Sequence, residues 1–236
     1  MKKQKEAGRC VYCLETVDDV TADHIIAESW YPEDKPENVE LPTAPACEKC
    51  NHRFGALERH LREQLGFTID PYIEGGSGIG EKSFRAIDSC KGRTEKDRNK
   101  RSAALRRWSK SIVHVTDLPE EGILPNIGTL VPSNSGDYLT VSIDPVPVGK
   151  LIRKWVRGFT HYFYRRYIET ETYLVQAKTV GSEIPDGIRH LHWDKFKMGP
   201  GLVIERTVDV VDPVVGMYVF NLWGRIRLIG ATIPRG

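Results

Sequence analysis

The sequence predicts an α+β protein of 236 residues: an N-terminal cysteine-bearing module over residues 1–70, then a mixed helical and β segment over 81–236. Three observations predict this. Two Cys-x-x-Cys pairs, Cys10–Cys13 and Cys47–Cys50, frame the first part. Phe54, Leu57, Leu61 and Leu65 then recur at three- and four-residue steps, the stripe of an amphipathic helix. Beyond Thr172 the pattern changes to β-branched and aromatic runs, among them Val208–Val211 and Met217–Trp223.

The elements follow in order. Gly8 to Cys13 reads as a knuckle turn, and Asp18 to Ile26 as a short hairpin. Ser29 to Pro45 holds Pro32, Pro36, Pro42 and Pro45 and reads as a loop. A helix begins near Cys50 or Asn51 and stops at Gly66; His60 lies close to its apolar stripe, as a packing histidine would. Gly75–Gly80 reads as a hinge or turn, because the frame of a nucleotide-binding P-loop is missing around it. Residues 81–115 read as helical, with a modest apolar face of Ala103, Ala104, Leu105 and Trp108. Residues 118–149 are rich in Pro and Gly, with a β-prone piece at Tyr138–Ile143. Pro145 and Pro147 break the chain ahead of a helix over Val148–Ile168. In that helix Trp155, Phe159 and Phe163 suit a core, and Arg153, Lys154, Arg157, Arg165 and Arg166 alternate with the aromatics. Gly224 and Arg225 mark a turn into Ile226–Gly230.

Hydrophobic residues make up 40% and charged residues 28%, proportions of an ordinary globular chain. No apolar run reaches the ~20 residues of a membrane-spanning helix. The basic start Met1–Glu6 has no apolar core behind it, so a cytoplasmic location is expected and no membrane partner. In that compartment, cysteines at this spacing favour metal over disulfides. Two thiolates from each pair can close a tetrahedral zinc site, so Cys10, Cys13, Cys47 and Cys50 are expected to hold structural zinc. A small module with a thin core needs such a staple. Cys90 is left over and reads as a tolerated thiol.

The run from the first pair through Asp23-His24-Ile25-Ile26 to Pro45-Ala46-Cys47-Glu48-Lys49-Cys50-Asn51-His52-Arg53-Phe54-Gly55 resembles the HNH endonucleases, which share the ββα-metal fold. The resemblance covers residues 8–66, about a quarter of the chain, and nothing comparable covers residues 70–236. It implies an N-terminal ββα-metal module that cleaves phosphodiester bonds, mostly in DNA rather than RNA. It implies that Asp23 holds a catalytic magnesium or manganese ion and that His24 is the general base. It points to Asn51 as the second metal ligand, with His52 as the neighbouring alternative that the sequence leaves open. Asn38 would orient the base, although it stands a few residues farther from Cys47 than the family pattern has it.

The residue types fit that chemistry on their own terms. A free imidazole titrates at about 6.5 and can take a proton from water at neutral pH. Carboxylate and amide oxygens suit magnesium or manganese. The competing reading is a non-catalytic, zinc-stabilised module that binds nucleic acid or protein, with Asp23–His24 as a supporting pair and Asn51 as a helix cap.

Formal net charge is only +2, but Lys91–Lys110 holds nine Lys or Arg against two acidic residues. Arg93, Lys96, Arg98, Lys100, Arg101, Arg106 and Arg107 are therefore candidates for contacting nucleic-acid phosphates, as is the helix around Arg153–Arg166. A solvated helix face explains the run equally well. Two active sites cutting opposite strands would make a homodimer, though no interface pattern in the sequence supports one.

Overall fold

The computed structural model of the protein describes residues 6–33, 41–69, 75–115, 138–178, 189–224 and 226–236. It is a mixed α+β structure. Its first sheet is antiparallel in the order β1-β2-β3, from β1 (Glu6–Arg9), β2 (Thr16–His24) and β3 (Thr43–Cys47). No turn residue interrupts Asp18–Ile26, so the expected hairpin is instead one nine-residue strand, paired on both edges. Its register sets Val20 opposite Cys47, Asp23 opposite Ala44 and His24 opposite Thr43.

Cys47 ends β3 and is also the N-cap of α1 (Glu48–Gly66), so the helix starts slightly ahead of the expected point and stops at Gly66. Phe54, Leu61 and Leu65 are buried as the stripe requires, and Glu58 is buried among them. The proline-rich stretch after β2 is not all loop. A turn of 3-10 helix over Glu28–Trp30 buries Trp30, and Tyr31 beside it is equally buried.

The region expected to be one helical stretch is two helices and a strand. α2 (Ile79–Ile87) follows the glycine turn, with Gly78 at φ +71° as its N-cap. The Asp88 side chain then accepts from the Cys90 N–H, and Thr94 caps α3 (Glu95–Ser111) by accepting from the Asp97 N–H. β4 (Ile112–Val115) pairs antiparallel with β5 (Tyr138–Val141).

α4 (Pro145–Tyr164) begins earlier than expected because a proline fits the first helical turn, where its missing N–H has no partner to lose. Asp144 caps it by accepting from the Val146 N–H, and Arg165 at φ +54° ends it. The second sheet is antiparallel in the order β6-β10-β9-β8-β7. Its strands are β6 (Tyr173–Lys178), β7 (Asp194–Lys197), β8 (Leu202–Val208), β9 (Gly216–Leu222) and β10 (Ile226–Pro234).

α4 is the wall that both parts share. It packs on β6 and β10 on one side and on β3 and α1 on the other. Against β10 the approach is close: a methyl group on Gly230 would stand 2.5 Å from Val156 Cγ2 and 2.7 Å from Ile152 Cγ2. One hydrophobic core runs from Cys10 to Leu228. At its centre Trp30 stacks on Trp223 at 5.3 Å and meets Trp155 edge-on at 5.3 Å, and Trp223 Nε1 donates to the Trp30 carbonyl at 2.8 Å. Among the described residues, no helix is long and apolar enough to cross a membrane.

Candidate metal centre and carboxylate site

The first Cys pair is shaped by backbone bonds. Leu14 N–H donates to the Cys10 carbonyl at 2.9 Å, with Leu14 in the left-handed region at φ +67°, and Cys10 N–H donates to Glu15 O. Val11 N–H reaches the Pro45 carbonyl at 2.9 Å and ties this turn to the strand leading into the second pair. Cys50 follows in the first turn of α1. The result is that the sulfurs of Cys10, Cys13, Cys47 and Cys50 all lie within 4.8 Å of one another.

Zinc–sulfur bonds of about 2.3 Å put the corners of a tetrahedron about 3.8 Å apart. Cys13 Sγ and Cys47 Sγ stand 3.8 Å apart. The donor set is all sulfur, three of the four cysteines are buried, and the separation is that of a tetrahedral edge: the residues fit a zinc ion. Their surroundings disfavour the bare thiolate at two of the four. Burial pushes the Cys13 thiol up to about 11, and burial together with the charge of Cys10 pushes Cys50 up as well. Burial acts to raise Cys10 too, but hydrogen bonds from the backbone N–H groups of Cys47, Cys13 and Tyr12 outweigh it and bring that thiol down. Four sulfurs this close in apolar surroundings carry negative charge only with a positive ion between them. Cys90 is exposed and takes no part.

The candidate catalytic residues divide between the faces of β2. Side chains alternate along a strand, so Thr21 and Asp23 look toward α1 while Ala22 and His24 look away, and the burial of β2 follows that alternation. Asn51, in the first turn of α1, donates from Nδ2 to Thr21 Oγ1 at 3.5 Å. Asp23 and Asn51 therefore serve one face of β2. His52 is exposed, 4.0 Å from Glu48, and points off the helix into solvent. His24 is exposed at the strand end. Asn38 lies outside the described residues.

Asp23 meets a partner from the far half of the chain. Lys154 Nζ, on α4, is 3.1 Å from Asp23 Oδ2, 2.9 Å from Glu58 Oε1 and 2.9 Å from the His24 carbonyl oxygen, to which it donates. The Lys154 side chain is 0% exposed, Asp23 11% and Glu58 3%, so the ammonium and both carboxylates are sealed together. Burial pushes Glu58 above its ordinary value despite the lysine. The Tyr12 hydroxyl beside them is pushed well up, chiefly by burial and then by the charge of Asp23. On the other side of Asp23–His24, Gly158 of α4 lies against Ile25, where an added methyl would be 2.7 Å from Cγ2.

Lys154, Glu58 and Tyr12 are the site residues that sequence reasoning missed. The available signal was a charge interrupting an apolar stripe. Glu58 sits between Phe54 and Leu61, and Lys154 among Leu151, Ile152, Trp155 and Val156.

No protein-family model, curated protein or solved structure matches this chain.

Most of the basic run lies on α3, which buries only Ala104, and Lys91 and Arg93 come just before its Thr94 cap. Arg93, Lys96, Arg98, Lys100, Arg106 and Arg107 are exposed there. Arg101 is tied down, its Nε 3.1 Å from Asp97 Oδ2 and its Nη1 donating to the Arg85 carbonyl. A second group of cations lines the space between α1 and α4. Arg53, Lys150, Arg153, Lys154 and Arg157 face a cavity of about 420 Å³.

Proposed function

We propose that this chain is a metal-dependent endonuclease that hydrolyses phosphodiester bonds in DNA. The observation that supports it is the convergence of four sulfurs at the root of β2, β3 and α1, which fastens the Asp23-bearing face of β2 to the first turn of α1. On this reading Cys10, Cys13, Cys47 and Cys50 hold structural zinc, a HNH-like module occupies the N-terminal part, and Asp23 with Asn51 would hold magnesium or manganese. That ion would neutralise charge developing on the phosphate and on the departing oxygen. His24, free in solvent at the strand end, accepts the proton of the attacking water. Lys154 fixes the strand end by gripping the Asp23 carboxylate and the His24 carbonyl together.

The Lys154 pair also favours a second reading. A carboxylate sealed against an ammonium already has its cation, and His24 and Asn51 serve opposite faces of β2. Asp23 would then be structural, and the chain a zinc-stabilised nucleic-acid-binding module without catalysis.

Plasmid nicking with magnesium or manganese separates the two. Wild type is expected to nick, and His24→Ala to lose nicking while still retarding the plasmid in a gel. Wild type that binds DNA and leaves it intact with every divalent metal selects the second reading.

A further inference from the structure

The cavity between α1 and α4 has a composition that its fold does not require. Lys150, Arg153, Lys154 and Arg157 recur on α4 at the three-, four- and seven-residue steps that share one helix face, and Arg53 opposes them from α1. No carboxylate appears among the described residues of its wall. Lys154 is compensated from behind by Asp23 and Glu58. Arg157 is not so placed. Burial pushes its guanidinium down, its nearby carboxylate is Glu169, and Glu169 is already held by both arms of Arg9 at 2.7 Å.

The guanidinium groups are also oriented before anything binds. Arg157 Nη1 donates to the Ile168 carbonyl at 2.9 Å and Arg153 Nε to the Val175 carbonyl at 3.2 Å. Each arginine thus spends one N–H on a backbone oxygen and keeps others for a ligand. Arg53 rests over the Phe54 ring at 4.7 Å. The remaining wall is Tyr12, Phe54 and Leu57, an apolar lining that weakens dielectric screening inside the cavity. Arg53, Lys150 and Arg153 are exposed and Arg157 is half-buried, so the row of cations stands open to an anion.

We infer that the cavity between α1 and α4 is a phosphate-binding site that seats the backbone of a nucleic-acid strand. Oriented guanidinium groups match phosphate oxygens, and a helical row of cations suits successive phosphates along a strand. Lys154 lines the cavity and also bonds Asp23 and His24, so the seated strand adjoins the Asp23–His24 step. The inference rests on the nucleic-acid reading above for the carrier of the phosphate, and not on catalysis.

The test is fluorescence anisotropy on the full-length His24→Ala protein with a labelled single-stranded oligonucleotide, across a salt series. Replacing Lys150 and Arg153 together by Gln is expected to weaken binding about tenfold or more. It should also flatten the plot of log affinity against log salt by about 1.4, since each single-strand phosphate contact contributes about 0.7. Replacing Arg106 and Lys110 on α3 by Gln should change affinity less than about threefold. Lys150→Glu alone, at an exposed position, keeps the test valid should the double variant unfold; it too is expected to weaken binding. Unchanged affinity in the groove variants, or a larger loss in the α3 variant, overturns the proposal. So does full competition by a mononucleotide or inorganic phosphate at concentrations that match the oligonucleotide's own affinity, because the ligand is then a small phosphate compound. Strand binding that depends on Lys150 and Arg153, in a protein whose wild type never cleaves, upholds the site and rejects the nuclease.

Discussion

Two polar centres lie either side of Tyr12, and they are built in opposite ways. The sulfur centre is local. Its four side chains come from the turn after β1 and from the junction of β3 with α1, and the Val11 N–H bond to the Pro45 carbonyl ties the two together. The carboxylate centre is assembled from a distance: Lys154 is 96 residues from Glu58 and 130 from His24 in sequence. A local site can be read from spacing, whereas a distant one exists only once the segments that supply it have packed. The positive charge of the sulfur centre would come from a bound ion, while the carboxylate centre has the Lys154 ammonium.

That contrast can be broken at three points, in decreasing order of effect. Cys47→Ser, or a strong chelator, should release the N-terminal unit while the β6–β10 sheet stays folded. Structural zinc supplies ~10 kcal/mol in small modules, so hydrogen exchange over residues 6–69 should rise far more than over 173–234. Uniform exchange across both regions, or no bound zinc in the purified wild type, would show that the sulfurs are not a metal centre.

Lys154→Met comes next. It leaves two buried carboxylates without a cation, a change that costs about 3–5 kcal/mol. The pH dependence has a definite sign. Burial already raises Glu58 above its ordinary 4.5, and removing the lysine raises it further. A carboxyl with a raised folded-state value contributes most below its unfolded value and loses that contribution as pH rises through the folded one. The variant should therefore melt closest to wild type in acid and fall away from it toward neutrality. A deficit that is constant with pH would mean that Lys154 acts by packing alone.

Gly158→Ala should have the smallest effect. Alanine gains up to about 1 kcal/mol of helix propensity, and the crowding of Ile25 costs about 1–3 kcal/mol. A net loss of about 1 kcal/mol is expected, with nicking reduced more than stability because the strain falls one residue from His24. A variant more stable than wild type, with unchanged nicking, would show that α4 does not position the strand end.

Much of the N-terminal unit was legible. The Cys-x-x-Cys spacing located the sulfurs, and the recurrence of Phe54, Leu61 and Leu65 located α1, because both signals are short-range and periodic. Other features were misread through local punctuation. Pro145 read as a breaker, yet it opens α4. The break between α2 and α3 hid in a region of even composition, though Thr94 and Asp97 stand in the relation of a helix cap. Trp30 and Tyr31 fell inside a proline-rich stretch read as loop, where two adjacent large aromatics are themselves the sign of a buried anchor. The partner of Asp23 was out of reach, because one lysine among Lys150, Arg153 and Arg157 looks like any other cation of α4 until its neighbours are known.

The indole cluster gives the molecule a built-in optical gauge. Trp30 comes from the segment after β2, Trp155 from α4 and Trp223 from the end of β9, and their rings lie close enough for their electronic transitions to couple. A near-ultraviolet circular dichroism band from that trio reports whether the two halves of the chain are docked. It would fade on undocking even while each half kept its own helices and strands.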